Sequence, residues 1–159
     1  TISDARANPF SPTSGHKTLD YWWRLRELQM AAQKAAGEAI VLQVSNHVAG
    51  GCVSNVLAVH GEALLTPIAR GEEQKGGVPS PVLPGITRGM ALGWAEEMGL
   101  DVRRQMMTVE DLLDADELML TNSSFGVLPV TRLEGATIRE GTPGRVSLEM
   151  VGKWRDLTA

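Results

Sequence analysis

An α+β fold is predicted by three features of this sequence. Short apolar runs rich in β-branched residues recur along it, segments of helical character lie between them, and Gly, Pro, Asn and Ser clusters punctuate both. Strands and helices mixed in this way describe an α+β domain or an irregular α/β barrel. The length, 159 residues, suits one domain with a real hydrophobic core.

Residues 1–16 are rich in Ser, Pro, Asn and Gly and open the chain as an extended segment and loop. Leu19 to Ala36 is expected to be helical, with Trp22, Leu25, Leu28, Ala32 and Ala35 forming one apolar stripe and Arg24, Arg26, Glu27 and Lys34 mostly off it. Gly37 stops that helix. Ala39–Val44 is a buried strand, Ser45-Asn46-His47 a turn, and Val53–Val59 a second strand that returns through His60-Gly61-Glu62 into Ala63–Leu65, an antiparallel meander. Residues 70–85 hold many Gly and Pro and form a long loop, a feature uncommon without a function. A second helix starts at or just before Thr87 and is ended by Gly99. Asp101–Met107 is a strand, and Thr108 with Asp111 is a capping-box-like start for a short helix. Glu117–Thr121 and Val127–Val130 are strands on either side of Asn122–Gly126. Glu134-Gly135 turns, and a last helix covers about Arg145 to Leu157.

Composition excludes several classes of function. The net charge is −4 with both signs interspersed, which makes no electrostatic footprint for nucleic acid. No apolar run is long enough to span a bilayer and no signal-peptide pattern opens the chain. Cys52 is the one cysteine, so intrachain disulfides are excluded and a reducing compartment, the cytoplasm, is expected. His16, His47 and His60 have no metal-ligand spacing, so no metal is expected, and no Ser-His-Asp arrangement is supported.

Four segments carry the chemistry. They are Gly15-His16-Lys17-Thr18-Leu19-Asp20; Val48 to Val56 followed by Thr66-Pro67; Leu83-Pro84-Gly85-Ile86-Thr87-Arg88; and Ala115-Asp116-Glu117 leading through Asn122-Ser123-Ser124 to Pro129-Val130. Each is weak alone. In this order and spacing, from about residue 10 to 150, the chain resembles the class IV (fold-type IV) pyridoxal-phosphate aminotransferase superfamily. That superfamily includes branched-chain and D-amino-acid aminotransferases and aminodeoxychorismate lyase. The resemblance implies the irregular, barrel-like large domain of that fold over residues 1–159, as a single cofactor-binding domain. The family's smaller N-terminal domain is not matched by residues 1–16. Since the chain starts at Thr1 rather than Met, a fragment of a two-domain enzyme is expected.

The roles implied by the resemblance are these. Lys17 bonds the cofactor, pyridoxal 5'-phosphate, as a Schiff base and moves the substrate's α-proton, a task that a desolvated lysine performs well. Leu83, Gly85, Ile86 and Thr87 form a phosphate cup, because a Gly-rich turn opening a helix offers unpaired N–H groups and the positive end of the dipole. Arg88 is expected to make a structural salt bridge. Asn122, Ser123 and Ser124 supply further donors, although Asn and Ser also favour turns for their own sake. Gly50 and Asn55 belong to the cofactor site as well. Gly50 is the departure from the family pattern: it stands where the family carries a glutamate that keeps a proton on the pyridine nitrogen. Tyr21 and Trp22 lie where the family places an aromatic beside the cofactor, but helix packing is the expected role of both. Cys52 is expected to be a small buried apolar residue.

The implied activity is transfer of an amino group between an amino acid and a 2-oxo acid by a homodimer, with neither nucleic acid nor membrane as partner. Asn122-Ser123 in place of the Gly-Thr of the aminotransferase form points alternatively to an aminodeoxychorismate lyase. Gly50 points to a third possibility, a degenerate homologue without catalysis.

Overall fold

The apolar run Asn55–His60 becomes the centre of the molecule. In the computed structural model, which describes residues 1–158, the elements in chain order are β1 (Ile2–Ala7), α1 (Trp22–Gln33), β2 (Ile40–Gln43), β3 (Val48–Gly51), β4 (Asn55–His60), β5 (Ala63–Pro67), α2 (Ile86–Glu97), β6 (Asp101–Gln105), α3 (Val109–Leu113), β7 (Glu117–Asn122), β8 (Gly126–Val130), β9 (Arg132–Leu133), β10 (Ala136–Thr137) and α4 (Arg145–Thr158). Five strands form a sheet in the order β6-β5-β4-β7-β8, with β4 in the middle. β4 runs antiparallel to β5 and β7, whereas β6 runs parallel to β5. That parallel pair requires a crossover, and α2 provides it. A second sheet has the order β1-β2-β3, and β9 pairs with β10. The α+β expectation holds. Both larger sheets are mixed, and neither closes on itself.

Period-two alternation explains how β4 stays buried on both sides. Val56 and Ala58 point to a core shared with Ile40, Leu42, Leu65, Met107, Leu118 and Leu120. Leu57 and Val59 point the other way, against Ala91, Leu92 and Ala95 of α2 and Val146 and Met150 of α4. A third cluster, containing Ala31, Val41, Ala49, Cys52 and Val82, seats α1 on the smaller sheet.

The turns form where their residue types permit. Gly61 (φ 57°), Asn46 (φ 62°), Gly99 (φ 80°) and Gly135 (φ 79°) all take left-handed conformations at the expected reversals. At Gly126 (φ 74°) a side chain would also collide with the Trp154 indole, so α4 can lie directly on the β7–β8 turn. The capping box on α3 is present: Thr108 Oγ1 accepts from Asp111 N–H at 3.3 Å and Asp111 Oδ2 accepts from Thr108 N–H at 2.7 Å.

Two expectations are corrected. Val48–Gly51, to which the sequence reading assigned no element, is a strand, β3; its small residues lie buried against β2. The strands Ile40–Gln43 and Asn55–His60 accordingly belong to different sheets. The first helix has the expected period but a different phase. Glu27 and Ala31 are its buried residues, while Trp22 is 74% and Leu25 44% exposed. Period is a local property of sequence; phase depends on what the helix packs against.

Candidate active site

Sheet register brings the motifs to one place. Asn55, the first residue of β4, pairs with Thr121 near the end of β7, and Asn122 pairs with Gly126 across the β7–β8 turn. β4 is antiparallel to β5, so the start of β4 lies beside the end of β5, where the chain leaves for α2. The end of β7, the start of β4 and the N-terminus of α2 therefore meet. They border a cavity of about 1000 Å³, which Gly15–Thr18 and the start of α1 also line.

Lys17, Asn55, Leu83, Gly85, Ile86, Thr87, Asn122, Ser123 and Ser124 all line this cavity. The one expected site residue that does not is Gly50; its neighbours Ala49 and Gly51 do. Gly50 has φ 145°, and a Cβ there would sit 2.9 Å from the Ser54 carbonyl oxygen, so the backbone excludes a side chain at this position. Lys17 is a lining residue of the cavity. Its side chain is exposed, with Nζ 5.2 Å from the centroid of the Tyr21 ring. The desolvation expected of a cofactor lysine is therefore not seen at Lys17. Tyr21 lines the cavity, but Trp22 faces outward and Trp23 takes the inward position.

The α2 end is built to leave donors free. Gly85, in extended conformation (φ −66°, ψ 138°), is the N-cap and provides no side chain, so the first-turn N–H groups have no side-chain partner. The start of α4 shows the alternative: the Glu117 carboxylate accepts from the N–H groups of Val146 (2.9 Å) and Ser147 (2.7 Å). A Cβ at Gly85 would displace the Asn55 amide, so glycine lets Asn55 lie against the helix start. Asn55 in turn holds the loop, its Nδ2 donating to the Leu83 carbonyl at 2.8 Å. Its amide works as a clamp on the helix start. Thr87 Oγ1 and Ser123 Oγ stand 3.4 Å apart, longer than a good O–H···O bond, which leaves both able to serve a third group. Thr121, another lining residue, has its Oγ1 buried without a hydrogen-bond partner among the described residues. Asn122 shapes the turn: its Oδ1 accepts from the N–H groups of Ser124 (2.6 Å) and Phe125 (3.1 Å), and its Nδ2 donates to the Val53 carbonyl at 3.1 Å.

Behind this wall, Arg88 makes the expected structural salt bridge. It is 2% exposed and bonds Thr66 Oγ1 (3.1 Å), the Pro67 carbonyl (3.0 Å) and both oxygens of Glu72 (2.9 and 2.8 Å). Burial alone would raise the Glu72 carboxyl, but the Arg88 hydrogen bonds, helped by Ala69 N–H and Arg104, bring it below its ordinary value.

Sequence reasoning missed several lining residues, among them Thr121 and Arg24. Thr121 adjoins the Asn122 motif and could have been included with it. Arg24 was placed off the inward stripe of its helix, and shifting that stripe by one position turns it toward the cavity. Arg24 Nη1 donates to the carbonyls of Gly51 (3.2 Å) and Cys52 (3.3 Å), and its guanidinium stacks 4.6 Å from the Trp23 ring. The charged lining is thus Arg6, Lys17 and Arg24 against Asp20 alone among the described residues, a balance that suits an anionic ligand. Cys52, 1% exposed, is held as a thiol: burial and the nearby Glu38 carboxylate push it up to about 12. Among the described residues no cluster of His, Cys, Asp and Glu could hold a metal ion, and no helix is long and apolar enough to cross a membrane.

Known proteins are similar to this chain in sequence and fold. The chain is 33% identical over 128 residues to a D-alanine aminotransferase of Bacillus licheniformis, covering 80% of this chain and 42% of that protein. It is 32% identical over 136 residues to the branched-chain-amino-acid aminotransferase of Escherichia coli, covering 86% of this chain and 41% of the relative. Its fold superposes on a crystal structure of the E. coli branched-chain enzyme with a TM-score of 0.85 at 28% identity, over 98% of this chain and 50% of the other. A putative 4-amino-4-deoxychorismate lyase from Legionella pneumophila shares the fold with a TM-score of 0.81 at 21% identity, over 98% of this chain and 54% of that one. The chain thus spans less than half the length of the curated relatives it matches. The family model described as amino-transferase class IV matches residues 1–133, which include every cavity-lining segment described above, and the chain belongs to that family.

Proposed function

We propose that this chain is the cofactor-carrying part of a pyridoxal-phosphate-dependent aminotransferase of the branched-chain or D-amino-acid type. The observation that carries this reading is the uncapped start of α2, facing the cavity with Thr87 and Ser123 beside it. Unpaired N–H groups, two available hydroxyls and the positive end of a helix dipole suit a phosphate. The orphaned Thr121 hydroxyl, a further donor on the same wall, fits a polar ligand in the cavity.

When bound, pyridoxal phosphate supplies an aldehyde for amine exchange and a ring that draws electrons from the substrate's α-carbon. The chain's own residues supply the rest. The Lys17 amine holds the cofactor and then moves the proton at the substrate's α-carbon. Ile86, Thr87 and Ser123 bind the phosphate, and Asn55 keeps the Leu83–Gly85 turn in the shape that exposes the helix start. The cationic lining draws in a substrate carboxylate. The exposed apolar face of α1, with Trp22 and Leu25, fits a homodimer, and the lone buried cysteine fits the cytoplasm.

Borohydride treatment of the full-length protein loaded with pyridoxal phosphate, followed by peptide mass mapping, tests the reading. Label on Lys17 is expected. Label elsewhere, or none, would overturn it. A second reading, aminodeoxychorismate lyase, rests on Asn122-Ser123 in the β7–β8 turn. Release of pyruvate and 4-aminobenzoate from aminodeoxychorismate, without amine transfer to any 2-oxo acid, would favour it.

A further inference from the structure

The part of the cavity lined by Gly51 and Cys52 carries an arginine, Arg24, close to the position where the family's glutamate is missing. Gly50 cannot be a vestige awaiting a side chain, since its backbone conformation (φ 145°) and the Ser54 carbonyl leave no place for one. The nearest carboxylate behind this segment is Glu38, and it is turned into the wall. Its Oε1 accepts from the N–H groups of Ala39 (3.0 Å) and Cys52 (2.9 Å), and its Oε2 from Val53 N–H (3.3 Å) and Ser54 Oγ (3.0 Å). Glu38 does not line the cavity. Arg24 does, anchored on the carbonyls one and two residues beyond Gly50 and braced by Trp23.

We infer that Arg24 is the ring-nitrogen partner of the cofactor in this chain, a cation standing in place of the family's carboxylate, and that it keeps the pyridine nitrogen unprotonated. This rests on the cofactor assignment made above. A fixed positive charge disfavours a second one beside it, whereas a carboxylate favours it. The charged and titratable groups facing Arg24 are Tyr21, at the start of its own helix, Cys52 and Glu38. Burial draws the guanidinium below the ordinary arginine value, while these three groups raise it, and an arginine stays charged throughout the working range. None of them offers the ring nitrogen a carboxylate: Cys52 is held as a thiol, and both Glu38 oxygens are engaged by backbone and Ser54 donors. A ring without that proton is a weaker electron sink.

The test is ¹⁵N NMR of the full-length protein loaded with pyridoxal phosphate labelled at the ring nitrogen, after borohydride-trapped label on Lys17 has been verified. At neutral pH the wild-type resonance is expected at the free-pyridine position. Arg24→Glu, and more weakly Arg24→Gln, should move it toward the pyridinium position. A wild-type resonance already at the pyridinium position would overturn the inference while leaving the cofactor assignment intact, and needs no variant to fold. Failure of either variant to move the resonance in folded, Lys17-labelled protein would overturn it too. Absence of label on Lys17 would overturn the cofactor assignment, and this inference with it.

Discussion

The two walls of the cavity differ in kind. The α2 wall keeps donors unengaged: an N-cap without a side chain, two hydroxyls 3.4 Å apart and an orphaned threonine. The Gly50 wall has its polar groups engaged. Glu38 is consumed by three backbone N–H groups and Ser54, and Arg24 is tied to two carbonyls. Backbone amides freed by a helix start are a generic anion grip, so one wall can keep it while the other changes its charge. On the proposed reading, holding the cofactor and tuning its electronics are separable in this fold.

The largest effect that would break this comparison is at Lys17, which belongs to neither wall. Lys17→Ala should abolish borohydride-trapped label completely while leaving reversible, phosphate-dependent binding, read by equilibrium dialysis. Loss of both would mean that the α2 wall has no grip of its own. Next is the support behind that wall. Glu72→Ala strands the buried Arg88 charge and should cost about 3 kcal/mol in urea unfolding, at the lower end for a broken buried pair because Glu72 is partly exposed. The pH dependence has a definite sign. The folded Glu72 carboxyl lies below its ordinary value of 4.5, so its contribution is full above that value and disappears as pH falls through the folded one. Urea midpoints of Glu72→Gln should therefore fall less than wild type between pH 6 and roughly pH 3.

Smaller effects sharpen the comparison. Thr87→Val or Ser123→Ala removes one hydroxyl from the phosphate grip and should weaken pyridoxal-phosphate binding by roughly ten- to a hundredfold, given about 1.5–3 kcal/mol for a hydrogen bond to a charged group. The ring-nitrogen resonance should not move in either variant, since that property belongs to the other wall. The smallest is a control away from both. Thr108→Ala removes the α3 cap and should cost about 1 kcal/mol of stability with no change in cofactor affinity.

How far the site could be read from sequence varied by wall. The α2 wall was legible because its chemistry is local: Leu83-Pro84-Gly85 before an apolar helix announces a turn and an uncapped start, and Asn122-Ser123-Ser124 announces a tight turn. The fit of glycine at position 85 against the Asn55 amide was not visible in that way, because Asn55 lies thirty positions earlier in the chain. On the other wall the departure at Gly50 that the resemblance implies was legible, and the inward turn of Arg24 beside it was not. The helix over Trp22–Gln33 was expected with Arg24 off the packed stripe, and its actual phase turns Arg24 inward. A run of Trp22, Trp23, Leu25 and Leu28 is apolar enough to support either phase.

By itself, then, the sequence determined what is decided over a few residues: the strand runs, the left-handed turns at Gly61, Gly99 and Gly135, the α3 capping box, and the four motif segments with their order. Only the tertiary structure decided which face of α1 is buried, that Val48–Gly51 joins a sheet separate from Asn55–His60, and that Glu38 faces the wall while Arg24 faces the cavity. The physical reason is the same in each case. Turn chemistry and capping are set by the local backbone, whereas helix phase, sheet partnership and the direction of a charged side chain are set by what lies across the interface, and that neighbour is distant in the chain.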